Sequence, residues 1–292
     1  MSEFLLAVLL FLGIVLLPAG ISITVRGLIE PYMLDTTEHD MRLPGDSQIP
    51  VMEVAFFSDL HAGLCRVSDD RIIRALFEKP CHALLFGGDA CNDGKDIRAG
   101  LRRLSKIGDR ARELHIPCYA VRGNHDTKIS REDFLSAGFT LLENENVPLV
   151  GRNGSSYLLL GMNDSGRRNA RVWPNVSEVL FDEYPVSRRI VLVHNPDYVF
   201  TKNHTKYRFQ LSGHFHGGQI YLPFQLEFRL FRKEKLAHEG ISRGSFVKNG
   251  IYGYISRGCG CVVLPVRFLS KPEITHLTFY GGTKPDKEFV SS

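Results

Sequence analysis

The chain has 292 residues, 43% of them hydrophobic and 23% charged, with a formal net charge of +4. That is globular rather than disordered composition, and the positive excess is too small to mark a nucleic-acid-binding surface. Six cysteines scattered through a chain long enough to build a core without crosslinks point to a reducing compartment rather than a disulfide framework.

From Phe4 to Val25 the sequence carries no charged residue over 22 positions, and roughly 20 apolar residues suffice to span a bilayer. A cleaved signal peptide normally opens with a positive segment, whereas Glu3 is the only side-chain charge before this run. The expectation is an uncleaved membrane anchor over 1–26; Pro18 and Gly20 leave a tilted or interfacial helix as the alternative. Residues 27–49, with Pro31, Pro44 and Gly45, read as a linker. A single domain is expected over 50–281, followed by a short tail over 282–292.

Within that domain, apolar runs alternate with helical stretches. The runs at 51–59 (VMEVAFFSD), 82–89 (HALLFGGD), 118–126 (CYAVRGNHD), 157–164 (YLLLGMND), 189–197 (RIVLVHNPD) and 208–216 (RFQLSGHFH) are each a buried-strand candidate that ends in polar or ionisable residues. Amphipathic helices are expected over Asp69–Glu78 and Ile97–Leu114, and the C-terminal part is strand-rich. The pattern predicts an α/β fold in which sheets pack together under a cover of helices. Ligands in open α/β sheets collect beyond the carboxyl ends of strands, which is where the ionisable clusters lie.

In Leu211–Ile220 (LSGHFHGGQI), His214 and His216 sit one residue apart among glycines. Residues i and i+2 of a strand face the same way, and imidazole is the commonest metal ligand; a glycine-rich turn with exposed histidines is the plainer reading. The other strand ends add Asp59 and His61 (SDLH), Asp89 (GGD), Asn124, His125 and Asp126 (GNHD) and His194 (VHNPD).

In these ordered blocks the sequence resembles the calcineurin-like metallophosphoesterase superfamily. The GHFHGGQI, YISRG, PVRF and PEIT stretches make it similar to a membrane-associated bacterial phosphodiesterase subgroup that includes a UDP-2,3-diacylglucosamine pyrophosphatase. The resemblance implies a sandwich of two mixed β-sheets flanked by helices. It also implies two divalent metal ions (Mn, Fe or Zn), one held by Asp59, His61 and His216, the other by Asn124, His194 and His214, with Asp89 bridging. His125 is implied as the catalytic group that faces substrate, oriented by Asp126. Two metals roughly 3.5 to 4 Å apart clamp both the attacking and the leaving oxygens of a phosphoryl displacement. One departure stands in GGDACND, where Asn92, with Asp93 after it, replaces an aspartate usual in the family.

Two surfaces bear on substrate choice. Arg98, Arg102, Lys106 and Arg110 form a basic stripe, either a solvated helix face or a contact for anionic lipid. The segment 222–236 (LPFQLEFRLFRKEKL) mixes aromatic and basic residues, and Phe228 and Phe231 are expected to contact an acylated substrate; packing of those rings on the core is the alternative. The resulting expectation is a hydrolase at the cytoplasmic face of a bacterial inner membrane, cleaving a lipid-linked or small phosphoester and not acting on nucleic acid. A phosphoesterase for soluble substrates and a non-catalytic binding module that keeps the fold are the alternatives.

Overall fold

The computed structural model describes residues 3–92, 94–163, 173–222, 224 and 226–282. The chain opens with one apolar helix, Glu3–Tyr32, 30 residues long and unburied along its apolar window. At ~1.5 Å per residue it is long enough to cross a membrane. It is built from α1 (Glu3–Phe11), a π-helical stretch Leu12–Leu16, α2 (Leu17–Ile29) and a 3₁₀ turn, Glu30–Tyr32. Pro18 explains the widened middle, because it lacks the N–H that would bond to Ile14 and its ring crowds that carbonyl.

The segment 27–49, expected as a linker, is instead structural. The foot of the helix is fixed to the domain at Gly27, whose carbonyl accepts from Arg267 N, and β1 (Asp35–Met41) follows at once. This strand pairs in parallel with residues 273–279 at the far end of the sequence. Its inward face is polar until Met41: Thr37 Oγ1 donates to Glu273 at 2.9 Å and lies 3.3 Å from the Tyr254 hydroxyl. Hydrogen bonds take the place of apolar burial there.

The strands β2 (Asp46–Phe57), β3 (Ala83–Phe86), β4 (Cys118–Ala120) and β5 (Thr140–Leu141) run parallel to one another, and β12 (Glu273–Gly282) inserts between β1 and β2. A second six-stranded sheet holds β6 (Glu145–Val150), β7 (Ser156–Met162), β8 (Arg189–Val193), β9 (Phe209–Ser212), β10 (Gly244–Lys248) and β11 (Ile251–Ile255), in the order β10-β11-β9-β8-β7-β6. Both sheets mix parallel and antiparallel neighbours.

Alternation along β2 joins the layers. Val54 and Phe56 enter the core between the sheets with Leu159, Leu192 and Phe209, whereas Ala55 and Phe57 face the helical layer with Leu76, Leu104 and Phe134. That layer comprises α3 (Asp69–Phe77), α4 (Ile97–Glu113) and α5 (Arg131–Ser136). The basic stripe lies on α4, where Lys106 pairs with Asp69 at 2.6 Å and Arg110 with Glu113 at 2.8 Å, the pattern of a solvated face. Register then sets the site: Phe57 pairs with Phe86 and Phe86 with Ala120, so the residues following each strand emerge side by side. Asp93, Asp164 and the tail beyond 282 fall outside the described residues.

Candidate metal centre

Beyond the strand ends the backbone turns sharply. Asp59, His61, Asp89, His214 and His216 have φ of 50°, 37°, 62°, 74° and 53°, a region that non-glycine residues seldom occupy and that clusters at functional sites. Each is nearly or fully buried. Close packing of the loops demands glycine at two places: Gly88, at φ 93°, lies against the backbone of Gly123, and a Cβ on Gly213 would strike Asp59 and Ser58.

Two clusters form in this cleft. Ligand atoms of Asp59, His61 and His216 all lie within 4.8 Å of one another, as do those of Asp89, His194 and His214. His216 Nε2 is 3.3 Å from Asp59 Oδ1, and His194 Nε2 is 3.1 Å from Asp89 Oδ2. Asp89 joins the two groups, since its Oδ2 is also 3.5 Å from His61 Nε2. Its Oδ1 accepts the His125 backbone N–H at 2.8 Å, which fixes the carboxylate between the clusters.

The imidazoles are oriented from behind. His61 Nδ1 lies 3.1 Å from the Cys91 carbonyl, His194 Nδ1 2.8 Å from the Gly87 carbonyl, and His214 Nε2 3.1 Å from the Glu234 carboxylate. A ring that donates from one nitrogen presents the other as a lone pair, the arrangement that metal-ligating histidines adopt. Burial lowers the His61, His214 and His216 pKa values, that of His214 to about 3 against the opposing pull of Glu234, so these rings are neutral near pH 7. Burial alone would raise the Asp89 carboxyl, but His194, His61 and His125 hold it well below the usual range.

The residues fit divalent cations. His61 Nε2 and Asn124 Oδ1 are buried without a hydrogen-bond partner, and an orphaned buried polar atom calls for a ligand. The donors are imidazole nitrogens with carboxylate and amide oxygens, a set that suits Mn, Fe or Zn.

His125 sits at the open side of the cleft, 16% exposed, with Nε2 4.0 Å from Asp89 Oδ2. Asp126, next in sequence, is buried. Its Oδ2 accepts from the amides of Asp89 (2.6 Å) and Gly123 (3.1 Å), and its Oδ1 from Ala90 (2.8 Å). Through these bonds Asp126 ties the Asp89 loop to the Asn124 loop. Phe228 is displaced from its expected role: it is 1% exposed and packs on Phe215 with ring centroids 5.8 Å apart. It props the turn between His214 and His216 from behind and is not available to an acyl chain. The Phe231 side chain lies outside the described residues.

Glu234 was not singled out from sequence, because it lies 20 positions from His214 within a basic segment and carries no local signal. Asn92 lies in the loop before α4, where its backbone N–H donates to Asp96 at 2.5 Å, so the departure from the usual aspartate falls outside both clusters.

A family model described as calcineurin-like phosphoesterase matches residues 52–218, more than half of the chain. The chain belongs to that family. It is 30% identical over 266 residues to the uncharacterized metallophosphoesterase YkuE of Bacillus subtilis, covering 86% of this chain and 87% of that protein. It is 28% identical over 261 residues to the phosphodiesterase YaeI of Escherichia coli, covering 85% and 89%. The protein is accordingly a metal-dependent phosphoric ester hydrolase with a two-ion site.

When bound, divalent ions act as Lewis acids toward phosphoryl oxygens and lower the pKa of water. In this chain Asp59, His61 and His216 would hold one ion and Asp89, Asn124, His194 and His214 the other. His125, partly exposed beside Asp89, would be the group available to donate a proton to a leaving oxygen.

Proposed function

We propose that this phosphoesterase is membrane-anchored and hydrolyses a phosphodiester or pyrophosphate bond in a lipid-linked substrate. The carrying observation is the physical link between helix and site. Glu30, at the foot of the apolar helix, is 1% exposed and accepts from the Ser270 backbone N–H, while Ser270 Oγ donates to the His216 carbonyl at 2.8 Å. A segment bonded this way into the loop behind a ligand histidine belongs to the mature domain, which favours an anchor over a removed leader.

The resemblance of the GHFHGGQI, YISRG, PVRF and PEIT stretches to a subgroup that includes a UDP-2,3-diacylglucosamine pyrophosphatase makes that nucleotide the specific candidate, cleaved by water to UMP and 2,3-diacylglucosamine 1-phosphate. The free state of all six cysteines accords with a catalytic domain at the cytoplasmic face of the inner membrane. The test is UMP release from UDP-2,3-diacylglucosamine by the manganese-loaded full chain in mixed micelles, beside hydrolysis of bis(p-nitrophenyl) phosphate. Release of UMP supports the reading. Hydrolysis of the chromogenic diester without UMP release rejects this substrate and leaves the phosphodiesterase intact.

A further inference from the structure

Beside the loops of the metal centre lies a group of apolar side chains that no other described residue covers. Phe224 is 82% exposed, Val263 83%, Leu264 59%, Leu269 43% and Ile220 39%. Single exposed apolar residues are ordinary, but a contiguous group marks an interaction surface. Three of these residues, Phe224, Val263 and Leu269, hold left-handed backbone at φ 58°, 64° and 54°. For a β-branched residue such as Val263 that conformation is a true outlier. The loops therefore keep unfavourable backbone while presenting unfavourable side chains to water.

The group comes from two loops that are built onto the ligands. The first follows His216 directly and is closed by Leu222 N donating to Glu227 at 3.0 Å. The second starts where Gly258 lies against Asp59 and Gly260 against His61. Gln219 clips the two together, its Nε2 donating to the Val262 and Leu264 carbonyls at 3.0 and 3.1 Å and its Oε1 accepting from Val262 N at 2.7 Å. An isolated parallel bridge between Ile220 and Phe268 reinforces the clip.

The same structure receives the apolar helix. Arg267 N donates to the Gly27 carbonyl at 3.1 Å, Arg26 lies over the Phe268 ring at 5.4 Å, and Leu28 and Ile29 continue the exposed apolar surface at the foot of the helix. Cationic groups border it: Arg26 and Arg229 are exposed, and Arg243 lies over the Tyr221 ring at 4.1 Å. Apolar tips ringed by arginine and tyrosine at the exit of a membrane-length helix match the chemistry of an anionic bilayer surface.

We propose that Ile220, Phe224, Val263, Leu264 and Leu269 form a rim that dips into the bilayer beside the anchor, so that the metal centre opens at the lipid surface. The substrate class is then an amphiphile whose phosphoester lies at headgroup depth. The inference rests on the anchored reading of Glu3–Tyr32 and adds a second, separable contact.

The test places the full chain in vesicles of phosphatidylcholine and phosphatidylglycerol, with and without lipids brominated high on the acyl chain. The native chain has one tryptophan, so its own signal serves as the reference. Phe224→Trp and Leu264→Trp each add a reporter on a different loop. Leu114→Trp is the control: it is 39% exposed at the end of α4, before β4, and hence at the opposite end of the strands from the site. The rim reading expects blue-shifted emission and loss of most of the added signal with brominated lipid at 224 and 264, and neither at 114.

Vesicle flotation separates the two claims. A chain that floats while 224 and 264 are quenched no more than 114 keeps the anchor and overturns the rim. Blue-shifted emission without quenching, rising with protein density in the vesicle, assigns the surface to a second copy and overturns it as well. A chain that does not float overturns both.

Discussion

Two adjoining regions hold non-glycine residues in left-handed backbone, and their surroundings are opposite. At the strand ends the strained residues are Asp59, His61, Asp89, His214 and His216, all but sealed from solvent. The Asp59 and Asp89 carboxylates accept from the His214 and His125 amides, and the His61 and His214 rings are held by the Cys91 carbonyl and Glu234. On the rim the strained residues are Phe224, Val263 and Leu269, and their side chains project into solvent. Strain of this kind costs about 1–3 kcal/mol per residue and persists where surrounding structure over-determines it. In the first region the surrounding bonds hold carboxylates and rings turned inward; in the second the Gln219 clip holds the loops while their apolar side chains face outward.

The largest effect is expected at His125, the strand-end histidine outside both candidate clusters. His125→Ala should leave metal content unchanged and slow turnover by about 10² to 10⁴, the usual contribution of a positioned general acid. Elemental analysis beside steady-state kinetics checks it; loss of metal would move His125 into the ligand set, and unchanged turnover would remove it from the chemistry. A smaller effect sharpens the other side. Val263→Asn replaces a β-branched residue at φ 64° by one that tolerates this region. It should raise stability against urea in detergent by about 1 kcal/mol, because no packed side chain is lost at 83% exposure. A decrease would mean that Val263 makes stabilising contacts within the protein.

The strand-end region was legible in the sequence and the rim was not, for physical reasons. A buried strand that terminates in Asp, His or Asn carries its signal within about ten residues, and the ordered blocks from Asp59 to His216 point to the layered fold and, through the family resemblance, to the residues of the two candidate clusters. The strand at 35–41 escaped notice because its inward residues, such as Thr37, are satisfied by hydrogen bonds to Glu273 and Tyr254 far along the chain. No apolar alternation advertises it. The segment 222–236 misled in the opposite sense: its aromatic content drew attention to Phe228, which is core, while the acid that orients His214 is Glu234. For Asp126, which the resemblance implies as the group orienting His125, three backbone amides hold the carboxylate in place. In each case a partner remote in sequence settled the role.

The account's central claim is that the strand ends form one two-ion site joined by Asp89. Metal analysis of the full chain and of Asp89→Asn, each shown to be folded by circular dichroism, tests it most directly. The account predicts about two divalent ions per wild-type chain and a clear deficit in Asp89→Asn, with turnover nearly abolished. A wild-type chain that binds no more than one ion at saturation, or an Asp89→Asn chain with full metal content and activity, would contradict it.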